Sequence, residues 1–196
     1  MTDWQRFDLA DADVRLAQLF DAAEARDWFD RLYAEVTWER HCLRIFGRQV
    51  QAPRLSCWIG DAEAVYTYSG TRFVPRPWTP ACAALRERVG AICRQRYNSV
   101  LCNLYRDGRD SMGWHSDDET ELGARPRIAS LSLGAPRRFR LRHRREPDQR
   151  LQIELPSGSV LLMAGATQQH YRHDLPKTAR NVGPRINLTF RSVATA

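Results

Sequence analysis

The segment Met112-Gly113-Trp114-His115-Ser116-Asp117-Asp118-Glu119 holds the first residues whose types and spacing could do chemistry. In an extended chain residues i and i+2 project to the same side, so His115 and Asp117 can face one ion together. His173, in Gln169-His170-Tyr171-Arg172-His173-Asp174, is the candidate for a third ligand from a distant strand. His170 is a rival, but at three residues away it is expected on the opposite side of a strand. Two imidazoles and one carboxylate leave three positions of an octahedral ion open, the arrangement of a non-heme Fe(II) centre that takes up oxygen. A His-x-Asp pair alone arises by chance on many surfaces, so the residues around it decide. His41 and His143 have no carboxylate at ligand spacing and read as surface or supporting residues; His143 lies in an Arg-rich strand, where a solvated or phosphate-facing place is expected.

The second chemical segment is Pro184-Arg185-Ile186-Asn187-Leu188-Thr189-Phe190-Arg191. Arg185, Asn187, Thr189 and Arg191 alternate with Ile186, Leu188 and Phe190, a period-2 strand with one polar and one apolar face. It reads as an ordinary surface strand, or as the wall of a metal cavity that holds a dianionic cosubstrate. Arginine binds a carboxylate through two parallel hydrogen bonds, and does so best where water is excluded. Asn103 and Tyr105, alternating in Leu101-Cys102-Asn103-Leu104-Tyr105, could add neutral donors from a neighbouring strand.

These residues need a scaffold, and the chain is long enough for one. It has 196 residues, 43% hydrophobic and 27% charged, with a mean hydropathy of −0.54. That supports a single domain with one substantial core and excludes disorder of the whole chain. Asp13 to Ala34 reads as a helix, and residues 1–35 as an N-terminal helical extension. A second helix is expected from Pro80 to about Arg96, with Thr79 as N-cap and Leu85, Val89 and Ile92/Cys93 as its apolar stripe; it would support a recognition and lid region at 36–98. From Ser99 on, short strands separated by turn residues follow one another: Ser99–Tyr105, Arg127–Leu133, Arg138–Arg142, Leu151–Leu155, Ser159–Met163, Gln169–Asp174 and Arg185–Arg191. The fold class expected is α+β with a mainly β core at 99–193, a double-sheet jelly roll or small barrel, and helices outside it.

The net charge is +7, from 30 Lys+Arg against 23 Asp+Glu, and Lys177 is the only lysine. Such a balance favours a polyanionic partner, although GC-rich coding gives the same arginine bias. Five cysteines without a CxxC pair argue against a disulfide framework or thiolate zinc site and fit a reducing, cytoplasmic setting. No stretch reaches the ~20 apolar residues of a membrane span, and no signal peptide is visible at the N-terminus.

Taken together, the order Asn103-x-Tyr105, His115-x-Asp117, His173 and Arg185-x-Asn187-x-Thr189-x-Arg191 resembles the AlkB family of Fe(II)/2-oxoglutarate dioxygenases. The intervening wording agrees: Asn-Leu-Tyr-Arg-Asp-Gly, Trp-His-Ser-Asp-Asp-Glu, Ile-Ala-Ser-Leu-Ser-Leu-Gly and Pro-Arg-Ile-Asn-Leu-Thr-Phe-Arg, with few gaps from about Leu43 to Val193. The resemblance implies a double-stranded β-helix with Fe(II) on His115, Asp117 and His173. It implies 2-oxoglutarate chelating the iron, its far carboxylate on Arg185 with help from Tyr105, while Asn103, Asn187, Thr189 and Arg191 line the pocket. With O2 as co-reactant, such an enzyme couples decarboxylation to succinate with oxidation of an N-methyl group and release of formaldehyde.

The substrate implied is alkylated DNA carrying 1-methyladenine or 3-methylcytosine, read by a monomer; RNA is an alternative partner, as are a protein, a small molecule or a non-catalytic binding role. A damaged, unpaired base is the cheapest to extract from a duplex. By resemblance to the duplex-repair branch, Phe46 in Arg44-Ile45-Phe46-Gly47-Arg48 is a wedge for the base stack; it also reads as a buried strand residue. Tyr66 and Tyr68 fall where that branch covers the flipped base, or form one face of a sheet. Asp118 corresponds to the acid that reads the amino edge of a cationic methylated base, or belongs to a solvated acidic loop. Arg137, Arg138, Arg140, Arg142, Arg144 and Arg145 form the densest cationic run, a DNA-backbone track or a solvated face.

Overall fold

A computed structural model of the chain describes residues 3–45, 48–68 and 71–194. The elements in chain order are β1 (Gln5–Phe7), β2 (Asp13–Gln18), α1 (Ala22–Glu35), β3 (Cys42–Ile45), β4 (Arg48–Gln51), β5 (Leu55–Gly60), β6 (Tyr66–Tyr68), β7 (Thr71–Phe73) and α2 (Pro80–Cys93). There follow β8 (Ser99–Tyr105), β9 (Met112–His115), β10 (Ile128–Gly134), β11 (Arg137–His143), β12 (Arg150–Leu155), β13 (Ser159–Ala164), α3 (Thr167–His170), β14 (Tyr171–Leu175) and β15 (Arg185–Arg191).

A larger sheet runs β1-β2-β13-β10-β15-β8-β5 and a smaller one β12-β11-β14-β9, while β3-β4 and β6-β7 are separate hairpins. From β8 to β15 the chain crosses back and forth: β8, β10, β13 and β15 enter the larger sheet, β9, β11, β12 and β14 the smaller. Those eight antiparallel strands form the expected double-stranded β-helix.

Strand patterning explains how two cores arise from one sheet. In β13, Val160, Leu162 and Ala164 pack beneath α1 and α2, while Leu161 and Met163 pack between the sheets. β15 divides likewise: Ile186, Leu188 and Phe190 join the helix-side core, and the polar residues between them turn the other way, buried as well. Each fully buried Leu or Ile contributes roughly 1.5–3 kcal/mol. The polar face of β15 therefore lines an interior and is not a solvent surface. Gly134, at φ +86°, ends β10 where an added Cβ would stand 2.5 Å from the Pro184 carbonyl oxygen, so glycine is required at this turn.

Helix α2 keeps its expected start, with Thr79 Oγ1 accepting from the Cys82 N–H at 3.2 Å and Pro80 in the first turn. It stops at Cys93 because Arg94 adopts the left-handed conformation (φ 50°) and Gln95 N–H closes onto the Gly90 carbonyl. The N-terminal segment departs from expectation. Residues 13–18 are strand β2, and the helix begins only at Ala22, behind an Asp21 cap that accepts from Glu24 N–H at 2.8 Å. Val14, Leu16, Leu19 and Phe20 suit either period. The edge of β13 decides, since β2 pairs along all of it, from Ser159↔Gln18 to Ala164↔Asp13, and satisfies its backbone groups. The segment 1–35 is thus two strands and one helix, joined to the sheet. Cys57, Cys82, Cys93 and Cys102 are buried free thiols, as core filler should be.

Candidate active site

His115 closes β9 and stands directly opposite His173 on β14, so antiparallel pairing alone brings two imidazoles together from residues 58 positions apart. Their ring centroids are 4.2 Å apart at 62°. Asp117 lies just past β9, its N–H held by the Gln168 side-chain carbonyl at 2.9 Å. The ligand atoms of His115, Asp117 and His173 all lie within 4.8 Å of one another. His115 Nδ1 and the Gly113 carbonyl oxygen are 2.8 Å apart; with the ring donating there, Nε2 keeps its lone pair for an ion. Burial, with His115 alongside, pushes His173 down to about 3, and burial lowers His115 too, so both rings are neutral at physiological pH. For Asp117 burial acts upward, but Arg191, His173 and His115 outweigh it and hold the carboxyl at about 2.

The opposite wall is made by β8 and β15, in register Arg185↔Tyr105 and Asn187↔Asn103. Asn103, Tyr105, Arg185, Asn187, Thr189 and Arg191 line the same cavity as the His-Asp-His group, a space of about 40 Å³ between the sheets. Arg185 is 2% exposed; its Nη2 donates to Ser132 Oγ at 2.9 Å, and its guanidinium carbon sits 5.3 Å from the Tyr105 ring centre. Burial pushes Arg185 down to about 10, which leaves it cationic at neutral pH. Asn187 Nδ2 donates to Ser130 Oγ at 2.7 Å, and Thr189 Oγ1 to Asn187 Oδ1 at 3.1 Å. Arg54 Nε donates to Asn103 Oδ1 at 2.8 Å, and Arg191 Nη2 lies 2.8 Å from Asp117 Oδ1.

Two buried atoms in this cavity, Asp117 Oδ2 and Arg185 Nε, have no hydrogen-bond partner among the described residues. Buried polar groups are normally satisfied, so each points to something the cavity takes up. Two neutral imidazoles and an ionised carboxylate fit a divalent cation, and a buried guanidinium fits a carboxylate. Fold and site together define a class: jelly-roll proteins with a His-Asp-His metal centre beside a basic pocket for an organic acid.

The comparisons with known proteins agree. A family profile described as "2OG-Fe(II) oxygenase superfamily" matches residues 13–191. "Alpha-ketoglutarate-dependent dioxygenase alkB homolog 3" of Bos taurus is 41% identical over 182 residues, 88% of this chain and 63% of that protein. "DNA oxidative demethylase ALKBH2" of Bos taurus is 40% identical over 185 residues (89% and 66%), and its Homo sapiens counterpart 37% over 200 residues (97% and 77%). The chain thus spans less than two thirds of the length of the two bovine relatives. A solved structure described as "The structure of OsALKBH1" shares the fold at TM-score 0.70 and 16% identity, covering 97% of this chain and all of that one. This chain belongs to the AlkB family of the 2OG-Fe(II) oxygenase superfamily.

The residues expected at a nucleic-acid surface fare unevenly. Phe46 lies outside the described residues, and Tyr66 and Tyr68, the ends of β6, are described through their backbone. Asp118 is half-exposed and held at 2.5 Å by Arg144, which also donates to Ser116 Oγ. Arg137 leaves the cationic run: β11 alternation turns it inward, where it donates to the carbonyls of Asp107, Asp110 and Pro176. His143 faces inward by the same alternation and is buried, not solvated, packed against His170 and Tyr171. His170 lies in the short α3 where strand was expected, away from the metal group. Asp11, His143 and His170 also bring ligand atoms within 4.8 Å. However, His143 Nδ1 accepts from the N–H groups of Arg145 and Glu146, which puts its proton on Nε2 and leaves neither nitrogen free for an ion. The sequence reading missed Ser130, Ser132, Arg54 and Gln168. The signal for the serines was present, as period-2 hydroxyls inside the apolar Ile-Ala-Ser-Leu-Ser-Leu run.

Proposed function

We propose that this chain oxidatively demethylates alkylated bases in DNA, 1-methyladenine and 3-methylcytosine. The observation that carries the reading is a single cavity in which His115, Asp117 and His173 face a buried Arg185. Similarity to relatives named as DNA oxidative demethylases supports the substrate. When bound, Fe(II) with 2-oxoglutarate and O2 supplies the oxidation of the N-methyl group, yielding succinate and formaldehyde.

His115, Asp117 and His173 would hold the metal. Arg185 would pair with the far carboxylate of 2-oxoglutarate; Ser132 and the Tyr105 ring fix the guanidinium beforehand, so little ordering entropy is lost on binding. Arg191 keeps Asp117 ionised, and Asn103, Asn187 and Thr189 line the pocket with neutral donors and acceptors. A wall buried on both faces excludes water from the oxidation. Asp118 offers a carboxylate to the cationic methylated ring, Phe46 fills the gap in the stack, and Tyr66 and Tyr68 cover the flipped base. The protein works as a monomer in the cytoplasm, a setting its buried free thiols support; among the described residues no helix is long and apolar enough to cross a membrane.

The test is succinate and formaldehyde production from matched oligonucleotides bearing either lesion, single- and double-stranded, beside unmodified DNA. Lesion-dependent product is expected, with Phe46→Ala losing more on duplex than on single strands. Succinate without lesion dependence would redirect the search to RNA, protein or small molecules.

A further inference from the structure

Cys82 and Cys102 meet inside the helix-side core, their sulfurs 3.9 Å apart and both side chains wholly buried. Cys82 lies in the first turn of α2, just behind the exposed Pro80, and Cys102 lies on β8, so a bond between them would tie helix to sheet. Alternation along β8 places Val100, Cys102 and Leu104 under the helices, while Asn103 and Tyr105 turn the other way and line the metal cavity. Burial normally leaves a free thiol inert, and it pushes Cys57 and Cys93 up to about 11. Cys82 moves the other way. Its hydrogen bond with Cys102 outweighs burial and lowers it, Thr79 adds to the effect, and the same bond holds Cys102 well above its ordinary value. One sulfur is thus favoured as the thiolate and its neighbour keeps its proton, the roles of an attacking and a resolving cysteine.

We propose that Cys82 and Cys102 are a peroxide-sensitive pair that closes to a disulfide and thereby displaces the cosubstrate wall. In the first step the Cys82 sulfur attacks hydrogen peroxide. An S–O bond forms, the O–O bond breaks, and the hydroxide released takes up the proton that Cys82 gave up and leaves as water. In the second step the Cys102 sulfur attacks the sulfenic sulfur of Cys82. The S–S bond forms, the S–O bond breaks, and the Cys102 proton departs with the hydroxide as a second water. Two thiols lose two electrons and the peroxide gains them. An uncharged oxidant of nearly the size of water suits a wholly buried pair. A disulfide holds its sulfurs at about 2.05 Å, so the two must draw together by about 2 Å. A close-packed core does not absorb such a shift in side chains alone. Part of it falls on β8 and so on Asn103, which accepts from Arg54 in the cavity wall. The consequence for the wall rests on the dioxygenase reading of the cavity and not on the choice of DNA as substrate.

The test treats the full folded chain, kept free of iron by a chelator, with hydrogen peroxide. Remaining thiols are then blocked with N-ethylmaleimide in urea, and the intact mass and a peptide map are taken. The map should join Cys82 to Cys102, with two fewer blocked thiols per chain and full recovery after dithiothreitol. Cys102→Ala should stop Cys82 at the sulfenic or sulfinic acid, and Cys57→Ala should leave the cross-link intact. Reloaded with Mn²⁺, the cross-linked chain should bind 2-oxoglutarate about tenfold more weakly, what the loss of one charge-assisted hydrogen bond costs, and regain its affinity on reduction. A map that joins other cysteines would overturn the proposal, as would a wild-type pair that peroxide leaves reduced. So would a complete cross-link with unchanged affinity for 2-oxoglutarate. The map is read on the wild-type chain, so a variant that fails to fold does not decide the outcome. Absence of 2-oxoglutarate binding in both states would count against the dioxygenase reading, leaving the map to judge the pair.

Discussion

Arg191 Nη2 lies 2.8 Å from Asp117 Oδ1, and both side chains are almost wholly buried. The contact ties the last strand of the jelly roll to the segment just beyond β9, so the cosubstrate wall and the metal centre share a charge pair. Breaking such a pair from one side leaves an uncompensated buried charge, which costs about 3–5 kcal/mol. Arg191→Leu should therefore lose stability of that order in metal-free protein, read from urea unfolding in the presence of a chelator. Added Mn²⁺ should restore a large part of it, because a cation bound to the folded state stabilises by mass action and neutralises Asp117. A variant that Mn²⁺ does not rescue would argue against Asp117 as a ligand.

Arg185 makes a different prediction because the partner proposed for it is a small molecule. Removal of a buried, charge-assisted contact costs about 1.5–3 kcal/mol, or roughly 10- to 150-fold in an apparent constant. Arg185→Ala should raise the 2-oxoglutarate concentration needed for half-maximal turnover by about that factor, with iron affinity little altered. Ser132→Ala should show a weaker effect of the same kind, since it removes a hydroxyl that positions the guanidinium. Titration of 2-oxoglutarate at fixed iron reads both. An unchanged requirement in the arginine variant would assign the anchor to another cation.

The site was largely legible in the chain because strands write their geometry in period 2. Arg185-x-Asn187-x-Thr189-x-Arg191 puts its functional atoms on one face of β15, while β9 ends at His115 and Asp117 joins it from just beyond the strand. What was hidden depends on pairing between distant strands. Nothing local says that His173 stands opposite His115, or that Arg142 lies between Arg150 and Arg172. The inward turn of Arg137 and His143 was masked by their neighbours, since an Arg-rich run reads as solvent-facing until alternation is applied to it. β2 was misread because Val14 and Leu16 suit a helix as well as an edge strand, and only the open edge of β13 settles the matter. Gln168 carried no signal at all: its place at Asp117 follows from α3, one helical turn that sequence periodicity does not reveal.

Acid should expose a support that lies outside the metal group. Asp110, in the loop before β9, accepts from Arg106 Nε at 2.7 Å, from Nη2 at 2.8 Å and from the Arg106 N–H at 2.9 Å. Burial acts to raise the Asp110 carboxyl, but the Arg106 contacts prevail and leave it below its ordinary value. A depressed carboxyl contributes stability above its unfolded pKa, near 3.9, and loses it as pH falls through the folded value. Asp110→Asn should hence unfold at lower urea than wild type at neutral pH, with the gap closing below about pH 4. A gap independent of pH would assign Asp110 a packing role.

Arg144 sits where lesion choice is expected to be made. Its guanidinium bridges Ser116 Oγ, at 2.8 Å, and the Asp118 carboxylate, at 2.5 Å, with both ion-pair partners partly open to solvent. Methylation at adenine N1 or cytosine N3 makes the base cationic, whereas 3-methylthymine is neutral. A fixed positive charge beside Asp118 repels the cationic bases and leaves the neutral one untouched. At about 6 Å in a water-like dielectric this repulsion is near 0.7 kcal/mol, or about threefold. Arg144→Ala should accordingly raise the ratio of kcat/KM for 1-methyladenine over 3-methylthymine by about threefold at low salt, and by less at high salt, where screening shortens the reach of the charge. A fall in that ratio would make Arg144 a positioning residue instead, needed to aim Asp118 at the base. Arg144→Lys separates the two, because it keeps the charge while losing the planar guanidinium whose Nη2 donates to both Ser116 and Asp118.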